Sequence, residues 1–234
     1  MDSIIQKIIK ENDKWYDPNF CLQVVRKNGK DLQRIGLQTL EICLAAVQED
    51  GRALRYSKIQ TPEICIAAVQ QSHWSLNYVK IFIPEIYIAA VQQHEDVLYR
   101  VKIQTPEICL AAVKRNGNSL KYAKIQTPEI CLAAVQQNEF ALEYVKIQTL
   151  EICLTAVKQN GMTLKFVKEQ MPEICFAAVK ENGWALRYVK NQTPEICAEA
   201  IKQVPSVYEY VKLPRSEDER EKFLRKLGLL LLSA

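Results

Sequence analysis

Residues 105–126 read TPEICLAAVKRNGNSLKYAKIQ, and residues 127–148 read TPEICLAAVQQNEFALEYVKIQ. The same pattern occurs nine times between Asp17 and Lys212, at an unbroken period of 22 residues. A period between about 20 and 50 residues is typical of proteins that stack small supersecondary units. Below, positions within a repeat are numbered from its first residue; repeat 1 begins at Asp17 and repeat 9 at Thr193.

The first half of each repeat predicts an α-helix that begins at position 2. Thr or Asp at position 1 is a favoured N-cap, and Pro at position 2 suits the first turn, where its missing N–H is not needed. Glu at position 3 is favoured by the helix dipole. The apolar run at positions 4–9 predicts a helix buried on several sides, and Asn-Gly at positions 12 and 13 predicts a left-handed C-terminal stop.

The second half predicts a shorter helix, of α or 3₁₀ type, over positions 14–21. Neither segment can bury its apolar side alone, so each repeat needs its neighbours. The sequence therefore predicts an all-α fold, an α-solenoid (superhelix) of nine two-helix repeats over residues 17–212. Residues 1–16 predict an N-terminal capping helix. Residues 213–234 predict a C-terminal capping helix that opens after Ser216, with an apolar tail folded back on the last repeat.

The cysteines predict buried free thiols and a reducing, cytoplasmic compartment, either the source cell's or a host's. All eight occupy position 5, where repeat 4 alone has Tyr87. Equivalent helices lie about 8–10 Å apart, beyond the reach of a disulfide, and no paired spacing suits zinc. Net charge is +4, and no segment is long and apolar enough to predict a membrane span. No catalytic motif, cofactor site or metal site is evident, and His73 and His94 are interpreted as turn residues.

The repeat core also resembles a known family. The motif A-A-V-K-x-N-G-x-x-L-x-Y-x-K, present at residues 111–124 and 177–190, is similar to the tandem repeats of the domain-of-unknown-function family numbered 4116. Those repeats are known from giant DNA viruses, bacteria and protists. The resemblance implies helical repeats without an assigned activity. In shape alone, one helix followed by a short helical turn is also similar to leucine-rich variant repeats.

Lysine fills position 20 in eight successive repeats: Lys58, Lys80, Lys102, Lys124, Lys146, Lys168, Lys190 and Lys212. One hypothesis is a row of cations that binds nucleic acid or another polyanion. The other is structural: each Lys stabilises the end of its short helix and pairs with Glu at position 3 of the following repeat. The structural hypothesis is favoured, because one lysine every ~10 Å does not match the spacing of phosphates, and the Glu column balances the charge.

Positions 14 and 17 vary between repeats while the packing positions stay constant. Large apolar side chains at such positions predict an exposed partner-binding surface, and the candidates are Trp74, Tyr99, Phe140, Met162 and Trp184. The alternative is that Trp74 and Trp184 fold over their own turns to shield the core. The leading functional hypothesis is a non-enzymatic scaffold that binds a protein partner, for example a viral or effector protein that inhibits a host or defence protein. Self-association through the end caps is a third expectation.

Overall fold

The computed structural model of the protein describes residues 14–94 and 96–232. The chain divides into two compact units, residues 1–115 and residues 116–234. The predicted N-terminal capping helix lies outside the described residues except for Lys14–Tyr16, which form a 3₁₀ turn.

The described residues of the first unit form five α-helices of ten residues: α1 Pro18–Lys27, α2 Leu40–Glu49, α3 Pro62–Gln71, α4 Pro84–Gln93 and α5 Pro106–Arg115. They alternate with 3₁₀ helices at Gly29–Arg34, Gly51–Tyr56, His73–Tyr78 and Val97–Arg100. Within this unit, successive α-helices pack against one another, and the first three 3₁₀ helices contact one another in a second row. This unit is therefore a solenoid with one α row and one 3₁₀ row.

The second unit repeats this arrangement. Its 3₁₀ helices are Gly117–Tyr122, Glu139–Tyr144, Gly161–Phe166, Gly183–Tyr188 and Pro205–Tyr210. Its α-helices are α6 Pro128–Gln137, α7 Leu150–Gln159, α8 Pro172–Glu181, α9 Pro194–Gln203 and α10 Glu217–Leu232. No described residue belongs to a β-strand. The predicted all-α solenoid of two-helix repeats is thereby confirmed in each unit.

The helix boundaries follow local hydrogen bonds. Thr127 caps α6 as predicted, because its hydroxyl accepts a hydrogen bond from the N–H of Ile130 at 3.3 Å. The second helix of most repeats is a 3₁₀ helix over positions 13–18, so it ends three residues earlier than the predicted position 21. In repeat 6 the N–H of Val145, at position 19, donates to Leu142 and closes the last turn. The chain then continues in extended form toward the next repeat.

The predicted left-handed stop at Asn-Gly is wrong. Asn160 has extended backbone angles, φ −154° and ψ 108°, and no described glycine has a positive φ. Asn160 instead ends α7 and begins the next 3₁₀ helix, because its side chain accepts from the N–H of Met162 at 3.0 Å. The next residue is glycine because a side chain would not fit there. A Cβ on Gly161 would lie 2.2 Å from the carbonyl oxygen of Ala178 in the next repeat.

The core is narrower than the apolar run suggests. Positions 4, 5, 8 and 9 are buried in most repeats, as Ile130, Cys131, Ala134 and Val135 show in α6. Positions 6 and 7 are half-buried in most repeats, so the prediction that all of positions 4–9 are hidden is wrong. Neighbouring repeats cover two sides of each α-helix and the 3₁₀ row covers a third. The fourth side remains at the surface.

A glutamine at position 22 joins consecutive repeats, a role that the repeat pattern did not predict. In repeat 6, the Nε2 of Gln148 donates to the carbonyl of Leu142 in its own repeat and to that of Phe166 in the next. Its Oε1 accepts from the N–H of Lys168 at 2.9 Å and faces the Cys153 thiol at 3.8 Å. Every polar atom of the amide thus has a partner. Equivalent bridges are made by Gln38, Gln60, Gln126, Gln170 and Gln192.

One junction replaces this bridge with aromatic rings. Phe82 occupies position 22 of repeat 3, and Tyr87 occupies position 5 of repeat 4. Their ring centroids lie 5.2 Å apart, whereas elsewhere a Gln and a Cys meet at these two positions. The break in the cysteine column at Tyr87 is therefore the second half of a paired exchange.

All eight cysteines are free and buried, which confirms the predicted thiols. Burial raises the pKa of the Cys65 and Cys197 thiols to about 11. A protonated, buried thiol is a poor nucleophile, so these side chains act in packing.

The C-terminal cap begins at Glu217, directly after Ser216 as predicted, and packs on α9 through the buried side chains of Phe223 and Leu227. The predicted folded-back tail is wrong. The helix continues through Gly228 to Leu232, and Leu229 and Leu232 are 63% and 87% exposed. Self-association through this cap stays a prediction. None of the described helices is both long and apolar enough to cross a bilayer.

Gly228 offers a stability test of the extended cap. Because a methyl group added there meets nothing within 4 Å, Gly228→Ala gains helix propensity without a clash. We expect the free energy of unfolding to rise by about 0.5–1 kcal/mol, measured by urea unfolding with circular dichroism detection. A loss of stability would show that the helix does not continue through this residue.

Candidate partner-binding surface

Positions 14, 17 and 18 lie on the outward side of the 3₁₀ helices, here named the short-helix face. Position 15 and position 16 of the same helices point inward, as the buried Ala141 and Leu142 show. Trp74 is 48% exposed, Phe140 39% and Trp184 38%, and position 17 is exposed throughout. Most side chains of this face are aromatic or cationic.

In the second unit, aromatic rings pair across successive repeats on this face. Phe140 meets Phe166 of the next repeat edge-on, with centroids 6.4 Å apart, and Trp184 meets Tyr210 in the same way at 6.2 Å. The ammonium group of Lys165 lies over both Phe140 and Phe166, at 5.8 and 4.6 Å. Positions 14, 17 and 18 therefore form one continuous surface rather than isolated side chains.

In the first unit, two arginines lie on aromatic rings at either side of the 3₁₀ helix His73–Tyr78. Arg55 lies over Tyr56 at 4.9 Å and over Tyr78 at 5.7 Å. Arg100 lies over Trp74 at 3.7 Å and over Tyr99 at 4.9 Å. Such cation–π contacts restrict the guanidinium group without neutralising its charge.

The structure places the five predicted partner-binding residues on this face. Trp74, Tyr99, Phe140 and Trp184 are exposed, and Met162 is half-buried. The two tryptophans contact the following repeat, through Arg100 and Tyr210 respectively, besides their own turns. The two tryptophans therefore do more than shield their own turns. A surface role for position 18 was not predicted, because its usual Tyr or Phe resembles a core residue.

His94 and Asp96, between α4 and Val97–Arg100, depart from the repeat. Asp96 has φ 54°, the one positive φ among the described residues, and its Oδ1 is buried without a hydrogen-bond partner. The Nε of Arg100 is buried and unpartnered as well. His94 replaces the usual Asn; its Nε2 lies 2.8 Å from the carbonyl of Val69, and its ring packs against His73 at 5.3 Å. Unpaired polar atoms and a left-handed residue together mark a strained region.

His73 predicts a pH dependence of stability. Burial, followed by the nearby His94 and Arg100, lowers the pKa of His73 below its ordinary value of 6.5. A histidine whose pKa is lower in the folded state binds its proton more readily when the protein is unfolded. The free energy of unfolding is therefore highest above the ordinary histidine pKa and decreases as the pH falls below it. We expect His73→Gln to lose less stability than the wild type between pH 8 and pH 5, in urea unfolding at each pH. Parallel curves for the two proteins would contradict this assignment.

The lysine column lies at the surface beside this face, and four of its ammonium groups contact backbone carbonyls of the preceding repeat. Lys58 donates to Gly36 at 3.0 Å, Lys168 to Lys146 at 2.8 Å, Lys190 to Lys168 at 3.1 Å and Lys212 to Val189 at 2.9 Å. The predicted pairing with Glu at position 3 is wrong for these four, and Glu195 instead pairs with Lys226 of α10. These contacts favour a structural role for them.

The half-buried side of the α-helices forms a second surface. In the second unit it contains a groove of about 590 Å³, lined by Leu154, Phe176, Ala177 and Ile196. Phe176 is 39% exposed, as much as Phe140 on the short-helix face. Within the described part of the chain, no three His, Cys, Asp or Glu side chains are placed to hold a metal ion.

Fold and surface together define the class, an α-helical solenoid repeat protein. Three overlapping stretches, residues 105–147, 127–172 and 149–193, match the model of the family described as Domain of unknown function (DUF4116). Each match begins at position 1 of a repeat. Residues 105–193 are thus similar to tandem repeats of this family, which confirms the resemblance over that stretch. Comparison with curated proteins and with solved structures gave no significant match.

Proposed function

We propose that the protein is a non-enzymatic scaffold that binds a protein partner through the short-helix face and acts by covering part of that partner's surface. One observation carries the proposal: the exposed side chains of positions 14 and 17 differ between repeats beside the rings and arginines of position 18, whereas the contacts that hold repeats together are nearly constant. Aromatic residues and arginine are the types that most often dominate protein interfaces.

Polyanion binding by the lysine column is the weaker candidate. Four of these lysines already donate to backbone carbonyls, so binding phosphates would require them to leave those contacts. The eight free, buried thiols support a reducing compartment such as a cytoplasm.

Affinity capture from the source cells, followed by reconstitution with the purified partner, tests the proposal. We expect Trp74→Ala and Trp184→Ala together to weaken the reconstituted complex by at least roughly a hundredfold, because truncation of an interface hot spot costs about 2 kcal/mol or more. Phe140→Ala is expected to act in the same direction.

Phe176→Ala is the matched control, because it removes an equally exposed ring from the other surface of the second unit. It is expected to leave the affinity unchanged. A complex that is lost with Phe176→Ala but retained by the tryptophan variants would overturn the proposal. Binding that depends on Lys80 and Lys146 and disappears at high salt would favour the polyanion hypothesis instead.

A further inference from the structure

We propose that the short-helix face of the first unit binds an acidic peptide segment of the partner, with one carboxylate on Arg55 and another on Arg100. This inference rests on the proposed function and names the chemistry of the partner. The site consists of Trp74 and Tyr78 with the two arginines on either side.

The two guanidinium groups are oriented and available. Arg100 lies over Trp74 and Tyr99, and Arg55 lies over Tyr56 and Tyr78. A stacked guanidinium still presents N–H donors in its plane, in the geometry that matches a carboxylate. Because the rings restrict these side chains before binding, less conformational entropy is lost when the anion arrives.

Neither arginine has a carboxylate partner within residues 14–94 and 96–232. Arg34 and Arg52, by contrast, pair with Asp31 and Asp50. The Nε of Arg100 is buried and makes no hydrogen bond, an uncompensated cost in the free protein. Two restrained cations that have no carboxylate partner among the described residues, on one aromatic patch, are complementary to two carboxylates.

Spacing and charge favour a peptide over a nucleic acid. Arg55 and Arg100 belong to repeats two apart, about 20 Å at helix-packing distances, which an extended peptide spans in about six residues. A peptide can place two acids at this separation, whereas a nucleic acid carries a phosphate at every nucleotide and most of those phosphates would find no cation in the site.

The experiment uses the full chain and a fluorescent oligoglutamate peptide. Binding is measured by anisotropy at low salt, with oligoglutamine of equal length and single-stranded oligothymidylate as comparison probes. We expect oligoglutamate to bind and oligoglutamine not to bind. Arg55→Gln and Arg100→Gln are each expected to weaken oligoglutamate binding roughly tenfold, as the loss of a charge-assisted hydrogen bond predicts.

Two controls separate this site from general electrostatic attraction. Lys58→Gln and Lys80→Gln remove equal charge from the same unit and are expected to change the affinity less than threefold. Arg100→Lys keeps the charge but loses the planar donor pair, and it is expected to behave like Arg100→Gln. Unfolding curves establish that every variant is folded.

Equal losses for the lysine and arginine variants would overturn the proposal, as would tighter binding of oligothymidylate through Arg55 and Arg100. So would the absence of oligoglutamate binding. If the partner complex still depends on Trp74 and Trp184 in that case, the proposed function stands while the acidic segment is rejected.

Discussion

Replacement of Gln148 by leucine is expected to lower the free energy of unfolding by about 3 kcal/mol, although the two side chains have similar volume. The change removes the amide that serves the carbonyls of Leu142 and Phe166 and the N–H of Lys168. Those backbone groups are left without their partner at the junction of two repeats. Urea unfolding followed by circular dichroism measures the loss. Gln136→Leu, on the exposed surface of α6, is the control and is expected to change stability by less than about 0.5 kcal/mol.

The Phe82–Tyr87 junction supplies a stricter form of this test. Gln148→Phe and Cys153→Tyr, made separately, are each expected to destabilise the protein. Made together they recreate the aromatic pair, and the combined loss is expected to be smaller than the sum of the two single losses by about 1 kcal/mol. Strict additivity would show that the two columns do not act as a pair.

Gly161→Ala is expected to cost about 3 kcal/mol, the upper range for overpacking by a single methyl group. The added Cβ would lie 2.2 Å from the carbonyl oxygen of Ala178, which belongs to the backbone of α8 and cannot turn aside. Repeats 7 and 8 must therefore separate locally. The same unfolding assay measures the effect.

Alanine substitutions at two other glycines show how the loss of stability depends on the space around the added Cβ. Gly183→Ala places its Cβ 2.9 Å from the Ala200 carbonyl and is expected to cost less than Gly161→Ala. Gly228→Ala has open space and is expected to stabilise. If all three substitutions had the same effect, helix propensity rather than close approach of the backbones would explain these glycines.

The sequence predicted the features that depend on residues adjacent in the chain or on the repeat period. Thr127 caps its helix and Pro128 begins it, because both effects depend on adjacent residues. The 22-residue period predicted the stacking of repeats, since no single repeat can bury its own apolar side. The bounds of the second helix were less accurate, because the residues after position 18 are bound by the neighbouring repeat rather than by their own turn.

The side-chain contacts between repeats were the main feature that the sequence did not predict. Gln148 binds a carbonyl 18 residues away, and Lys168 binds one 22 residues away, so inspection within one repeat does not reveal either partner. A signal was nevertheless present: the Gln column and the Cys column break together, at Phe82 and Tyr87. Glycine at position 13 was assigned to a left-handed turn because that is its commonest role, whereas here the next repeat leaves no room for a Cβ.

Amide hydrogen exchange of the complex with the captured partner tests the central claim most directly. The claim is that constant contacts hold the repeats while the short-helix face binds the partner. It predicts that binding slows exchange in the 3₁₀ helices His73–Tyr78 and Gly183–Tyr188 and leaves the exposed side of α8 unchanged. Protection confined to α7–α9, around Phe176, would contradict it.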